Sequence, residues 1–402
     1  MKLNQFFLLL LSIHAGSAVY DPSSYTERPC GDDLTNLWLD VVAVVDNSIG
    51  MTNTGLLNIA ANIASVFSSG TKIGQSPTEQ RTTRLGLVTY NSNATTNADL
   101  NKYNSLDDIY NDVYDALGSV SDTTTSYLST GLEAAETLFK TQSDGTPRSH
   151  YKRVVIVYAS AYQGFGDLDP LPVAERLRTF GINIVTVAYD QGDGELLEEM
   201  QKIATPGFNF TNTDDTGNLV GQIQGALLQA NCFCPNDWIQ YRDSFSNEHS
   251  FRYGSCLQPV GIPATWKAAQ LGCNHRWNST YLATEFSAQK HDFILAAVRN
   301  QTGFYKPNQP LSYHIGLNYA NGNWVWDQPA GLPQVSMPGD AWKNWITSYP
   351  KNAAQNSAGQ NLQNGFGTAW QNVAMYTVSS NYVCETYSCD TDIYCDASFV
   401  KH

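Results

Sequence analysis

The chain has 402 residues, 37 acidic and 23 basic, for a net charge of −14. That balance excludes a duplex nucleic-acid binder, whose surface must neutralise phosphates with Lys and Arg, and a hydrophobic content of 42% excludes wholesale disorder. Only 15% of residues are charged, against roughly 25% in globular chains generally, and the length predicts two or three domains.

Lys2 precedes the apolar run Phe6–Ile13, and Gly16 and Ala18 supply the small residues that a signal-peptidase site requires. Residues 1–18 are therefore predicted to be a cleaved signal peptide. No later segment approaches the about 20 apolar residues of a bilayer span, so the mature protein is expected to be secreted and extracellular. Eight cysteines, at 30, 232, 234, 256, 273, 384, 389 and 395, fit an oxidising compartment. Sequons at Asn93, Asn209, Asn278 and Asn300 would be open to glycosylation there.

Between Cys30 and Cys232 the chain alternates strand and helix patterns. Leu37–Val45 is an almost unbroken apolar run, as a strand buried on both faces requires. Leu56, Ile59, Ile63, Val66 and Phe67 follow at helical spacing. Leu85–Tyr90 reads as the next strand, and Leu106–Leu117 as a helix opened by the capping pair Ser105 and Asp108. Leu132–Phe139 reads as helix and Val154–Tyr158 as strand. Pro172–Phe180 is a helix with Pro in its first turn, and Ile182–Ala188 is a strand. Glu195–Ile203 and Leu219–Ala230 are helices. The alternation predicts an α/β fold, a doubly wound parallel sheet covered on both faces. In such sheets ligands sit at the carboxyl ends of the strands, and the first strand ends in Asp46-Asn47-Ser48-Ile49-Gly50.

This order of elements and that loop resemble a von Willebrand factor A domain. The resemblance implies a divalent-cation site built from Asp-x-Ser-x-Ser, a Thr from a second loop and an Asp from a third, all hard oxygen ligands. Asp46 and Ser48 match, but Gly50 replaces the second Ser and Ala159-Ser160-Ala161 lacks the carboxylate. Leu128 falls on the position of the metal-binding Thr, with Thr125 or Ser126 as substitutes if the loop is shifted. One carboxylate and one hydroxyl are too few for a strong Mg²⁺ site. Asp167 and Asp169, and Asp190, Asp193 and Gly194, lack calcium-loop spacing and read as solvated turns.

After Cys232 the texture changes to short segments, eight of the nine Trp and seven of the eight cysteines counted with Cys232. Cys234-Pro-Asn-Asp-Trp238, Trp266-Lys-Ala-Ala269, Tyr281-Leu-Ala-Thr-Glu285-Phe286, His314-Ile-Gly-Leu317, Asn323-Trp-Val-Trp-Asp327, Trp370-Gln-Asn372 and Tyr382-Val-Cys-Glu385 follow in order. Together they resemble an α+β C-type lectin-like domain of the long form. Joined to the first domain, they resemble the secreted C-type lectin family expanded in nematodes. The resemblance implies domains over 30–232 and 234–386, with a cysteine-bearing tail over 387–402. It implies the bridges Cys234–Cys256 and Cys273–Cys384, with Cys30–Cys232 and Cys389–Cys395 as the remaining pairs.

Sugar-binding members hold Ca²⁺ with a Glu-Pro-Asn or Gln-Pro-Asp triplet and a later Trp-Asn-Asp. Here the triplet is Tyr349-Pro350-Lys351, following Asn344-Trp345, and the later motif is Trp370-Gln371-Asn372. Tyr and Lys supply no carboxyl or amide ligand, so no Ca²⁺ or other cofactor is expected. Trp238, Trp266, Trp324 and Trp326 read as core. Trp342, Trp345, Tyr349, Lys351, Trp370 and Asn372 are the ligand-contact candidates, because rigid rings bury much area at low entropic cost.

No His-Glu-x-x-His, Gly-x-Ser-x-Gly or phosphate-binding Gly-Lys-Ser/Thr motif occurs, so no enzyme is expected. The expected function is non-catalytic recognition of an extracellular protein, glycan or microbial-surface ligand. A calcium-dependent lectin with non-standard ligands and a structural matrix component are the alternatives. The short, cysteine-bearing linker Asn231–Pro235 predicts restricted motion between the domains.

Overall fold

The run Asp40–Asp46 forms β1, with all seven residues buried. Val41, Ala43 and Val45 face one layer of helices and Val42 and Val44 the other, as the two-residue period of a strand dictates. The computed structural model describes residues 20–68, 70–189, 195–213, 217–277, 279–304 and 309–397. The predicted signal peptide, the turn at Asp190, Asp193 and Gly194, and the sequon at Asn278 lie outside the described residues.

Around β1 the first sheet adds β2 (Arg84–Tyr90), β3 (Ala94–Ala98), β4 (Arg153–Ala159), β5 (Asn183–Ala188) and β6 (Asn209–Thr211). Their order is β3-β2-β1-β4-β5-β6. Helices α1 (Asn53–Val66), α2 (Leu106–Ala116) and α6 (Leu219–Ala230) cover one face. Helices α3 (Leu128–Gln142), α4 (Pro170–Thr179) and α5 (Glu195–Ile203) cover the other. Ser105 caps α2 by accepting from Asp108 N at 3.1 Å, while Asp108 accepts from Asn104 N at 2.9 Å. The sheet is mixed, not purely parallel: β3 pairs antiparallel with β2 at the edge. Its Ala-Thr-Thr-Asn-Ala sequence carries no apolar alternation, so nothing in the pattern marked it as a strand.

Beneath the sheet, Asp40 is fully buried between Arg84 and Arg148 at 2.6 and 2.8 Å. Burial alone would raise its carboxyl, but these guanidiniums and the Ser143 hydroxyl hold it below the ordinary value.

The second sheet has nine strands: β7 (Ile239–Arg242), β8 (Arg252–Thr265), β9 (Tyr281–Leu282), β10 (Ser312–Ala320), β11 (Asn323–Trp326), β12 (Val335–Ser336), β13 (Ala358–Asn364), β14 (Gly367–Val373) and β15 (Ser379–Tyr387). The path β12-β11-β10-β15-β8-β7 is antiparallel except between β10 and β15. Helices α7 (Trp266–Asn274) and α8 (Ala288–Asn300) complete the α+β unit. Disulfides join Cys30–Cys232, Cys234–Cys256, Cys273–Cys384 and Cys389–Cys395.

The two units are packed together. Leu37–Leu39, predicted as the start of the first strand, stay outside it because Trp38 serves the seam. Its backbone N–H donates to Asn231 Oδ1 at 2.8 Å and its indole N–H to the Asp390 carbonyl at 2.9 Å. Tyr151, Phe233, Cys389 and Cys395 pack around its ring. Arg28 grips Asp390 at 2.6 and 3.1 Å with both groups buried. Phe233 and Cys389 exchange backbone hydrogen bonds at 3.0 and 2.9 Å. At Gly31 a Cβ would meet Thr391 Oγ1 at 2.5 Å and the backbone of Asp392 at 2.8 Å, so the tail passes where a side chain would otherwise stand. Residues of the cysteine-bearing tail thus lock both sheets to one another.

Candidate functional site

The strand order reverses between β1 and β4, and this switch point is where an open α/β sheet places a ligand. Asp46 ends β1 and Ser160 follows β4 there. The Asp46 carboxylate is fully buried and accepts four hydrogen bonds: from Ser48 N at 2.8 Å, Ser126 Oγ at 2.9 Å, and Ser160 N and Oγ at 3.2 and 2.5 Å. Ser126 is thus the second-loop residue that reaches the site. Leu128, placed on the metal-binding Thr by the sequence, is fully buried core. A Cβ at Gly50 would meet Ser160 Oγ at 3.3 Å, so this position faces the same cluster.

A single carboxylate already saturated by four donors does not fit the divalent cation implied by the resemblance; the serine hydroxyls and amides perform the charge solvation that a metal would otherwise supply. Among the described residues, no group of three or more His, Cys, Asp or Glu side chains is placed to hold a metal ion. Gln163 accepts from Ser126 N at 2.9 Å, which fixes the second and third loops together. Ile49 and Phe165, from the first and third loops, remain exposed.

The second candidate region is the long loop between β12 and β13. Its floor is a buried polar cluster. The Glu285 carboxylate accepts from Trp370 Nε1 at 2.6 Å and Asn361 Nδ2 at 2.8 Å, and holds His291 Nδ1 at 2.9 Å. Burial would lower the His291 imidazole, but Glu285 and the Thr368 carbonyl raise it above its ordinary value. Trp370, a predicted ligand contact, is therefore a core residue. Its ring is fully buried and meets Trp342 and Trp345 edge-on at 5.1 and 5.6 Å. Those two are half-buried against the same core, not the free platform that was expected. An indole needs a partner for its N–H when buried, and Glu285 is the residue sequence reasoning missed.

Asn372, also a predicted ligand contact, faces the loop and not a ligand. It is buried, and its amide accepts from Lys351 N at 2.6 Å and donates to the carbonyls of Lys351 and Asn356 at 2.6 and 2.7 Å. Its capacity is spent fastening the loop. Glu385 is buried too, bonded to Thr284 and to Lys290 Nζ at 2.8 Å. Of the predicted contacts, Tyr349 and Lys351 face outward: Lys351 is exposed, Tyr349 half-buried, and the ammonium sits 4.3 Å from the ring centroid. Asn372 is thus committed and the triplet offers a ring and a cation, a donor set that does not fit Ca²⁺.

The described sequons differ. Asn93 and Asn300 are exposed, whereas Asn209 donates to Leu197 O at 2.9 Å and accepts from Thr186 at 2.6 Å, so a glycan there would displace a bond within the fold.

Residues 40–226 match the model of the von Willebrand factor type A domain. C-type lectin domain-containing protein 160 of Caenorhabditis elegans is 27% identical over 392 residues, covering 92% of this chain and 56% of that protein. The chain thus spans little more than half the length of that relative. Among solved structures, proximal thread matrix protein 1 from the mussel byssus superposes with a TM-score of 0.41 at 17% identity, over 52% of this chain and 51% of that one. The C-type lectin domain of murine dendritic cell inhibitory receptor 2, solved with an N-glycan, gives a TM-score of 0.29 at 19% identity, over 39% of this chain and 99% of that one.

Proposed function

Because the chain is a von Willebrand factor A domain followed by a C-type lectin-like domain, we propose that it is a secreted, non-catalytic recognition protein that binds its extracellular ligand without a metal ion. The observation that carries this reading is the saturation of both implied metal positions by the protein's own groups. Asp46 is enclosed by Ser48, Ser126 and Ser160, and Asn372 is committed to the loop backbone. What remains outward on the long loop is the Tyr349–Lys351 face, an aromatic ring beside a cation. Such a pair suits a polar or anionic group on an extracellular protein or glycan, with the ring supplying contact area. Four disulfides, and no helix among the described residues long and apolar enough to cross a membrane, agree with an extracellular site of action.

The test is an overlay of the purified chain on arrayed glycans and extracellular-matrix proteins, with and without chelator. The same ligands are expected to be retained under both conditions, and the signal to fall when Tyr349 and Lys351 are both replaced by Ala. Retention that vanishes in chelator would overturn the reading.

A further inference from the structure

A cavity of about 820 Å³ opens at the seam between the two domains, at the opposite end of β4 from the Asp46 cluster. Its volume lies in the range of small-molecule sites. Phe180 after α4 supplies exposed apolar wall beside the buried ring of Phe139 of α3, Lys152 and Arg153 stand at the entry to β4, and Asn236 contributes from the lectin-like side.

Its charges are unevenly matched. Glu136 is held by Arg176 at 2.7 Å and by Lys140 at 2.8 Å, and Asp144 by Arg153 at 2.5 Å. Both carboxylates that line the cavity are therefore taken. Lys152 has no ion pair or hydrogen bond to its ammonium among the described residues, and its contact is the ring of Phe233, with Nζ 4.6 Å from the centroid. The charged groups that act on it, Arg252 and Arg153, are also cations, and among the described residues the Arg252 guanidinium finds only backbone oxygen, Gln229 O at 3.4 Å. Burial, reinforced by these two guanidiniums, lowers the Lys152 ammonium to about 8.

A half-buried cation without a counter-ion is costly in a protein whose net charge is −14 and whose acidic residues outnumber the basic ones. Carboxylates to neutralise it are abundant in this chain, yet none is placed there. An unmatched desolvated charge in a cavity is a candidate functional group. We propose that this seam cavity binds a small organic carboxylate on an apolar or aromatic body, its anionic end paired with Lys152 and its body against Phe180. The exposed ring of Phe180, 65% accessible, would be covered by such a ligand. This site is independent of the Tyr349–Lys351 face, so the two proposals stand or fall separately.

The test is calorimetric titration of hydrocinnamate into the full chain, with the neutral hydrocinnamamide as the uncharged match. Hydrocinnamate is expected to bind and the amide to bind about tenfold more weakly or worse, the factor that one charge-assisted contact carries. Lys152→Met preserves the stem and removes the charge, and is expected to weaken hydrocinnamate by a similar factor with a melting temperature at or above the parent's. Phe180→Ser, at an exposed position, is a second variant that keeps the fold and is expected to weaken both probes. Equal binding of acid and amide, unchanged affinity in Lys152→Met, or no binding of hydrocinnamate at millimolar concentration would overturn the proposal.

Discussion

The Ser160 hydroxyl donates to the Asp46 carboxylate at 2.5 Å across 114 residues of sequence. This contact closes the switch point of the first sheet, because the donor stands in the loop after β4, where the resemblance to a von Willebrand factor A domain implies a metal-binding acid. A hydroxyl neutralises nothing, but it solvates a buried carboxylate and costs no second charge.

Replacing Ser160 by Asp reverses that arrangement. Two buried carboxylates would then face one another without a counter-ion, so Ser160→Asp is expected to lose about 1–3 kcal/mol in the presence of chelator. Mg²⁺ should recover part of that loss by binding the native state. The parent should melt at one temperature with or without Mg²⁺. Differential scanning calorimetry of both proteins in the two buffers checks this, and a parent that is stabilised by Mg²⁺ would show that the serine cage opens to admit the ion.

On the long loop, Asn372→Ala removes three hydrogen bonds to Lys351 and Asn356 at once. The loop should loosen while the sheets remain intact. A loss of about 1–3 kcal/mol is expected, together with faster amide exchange at Lys351 and unchanged protection in β1. Exchange that accelerates equally throughout would show that Asn372 supports the whole domain instead.

Legibility divides along physical lines. The Val-rich β1 and the apolar stripes of α1 and α2 could be read because burial imposes a period on the sequence. The site was legible at Asp46 and Ser48, where loop spacing is local, and Ser126 only as one of two substitutes for a shifted loop. Ser126 and Ser160 reach Asp46 from distant loops, and hydroxyl donors leave no spacing signature. Trp370 illustrates the opposite failure. A Trp beside Gln and Asn reads alike whether it faces solvent or core, and only the buried Glu285 beneath it decides. Lys152 was invisible for a third reason, since its meaning lies in the absence of a partner.

At the seam, Asp390→Ala leaves the buried guanidinium of Arg28 with only the longer contact to Asp392 at 3.5 Å among its described carboxylate partners. Removing one partner of a buried pair typically costs about 3–5 kcal/mol. Because Arg28 and Asp390 also connect to Gly254 O and Ser388, the loss should loosen the packing of the tail. Small-angle scattering is expected to show a larger radius of gyration than the parent's. An unchanged profile and melting temperature would assign the seam's rigidity to Trp38 and the disulfides alone.

His314 gives the chain an acid limb. It lies fully buried on β10 with Nε2 at 3.2 Å from Val378 O, and burial lowers its imidazole to about 4, opposed by backbone carbonyls. The unfolded chain takes up this proton near pH 6.5, before the folded state does. The depressed value therefore contributes stability that is fully present above pH 6.5 and is lost as pH falls toward 4. At pH 5 the loss from this one group amounts to about 2 kcal/mol. His314→Gln removes the titration and is expected to flatten the stability difference between pH 7 and pH 5 by that amount, whatever it does to stability at pH 7. Denaturant unfolding of parent and variant at the two pH values measures the difference directly, and parallel pH slopes would show that other groups carry the acid sensitivity.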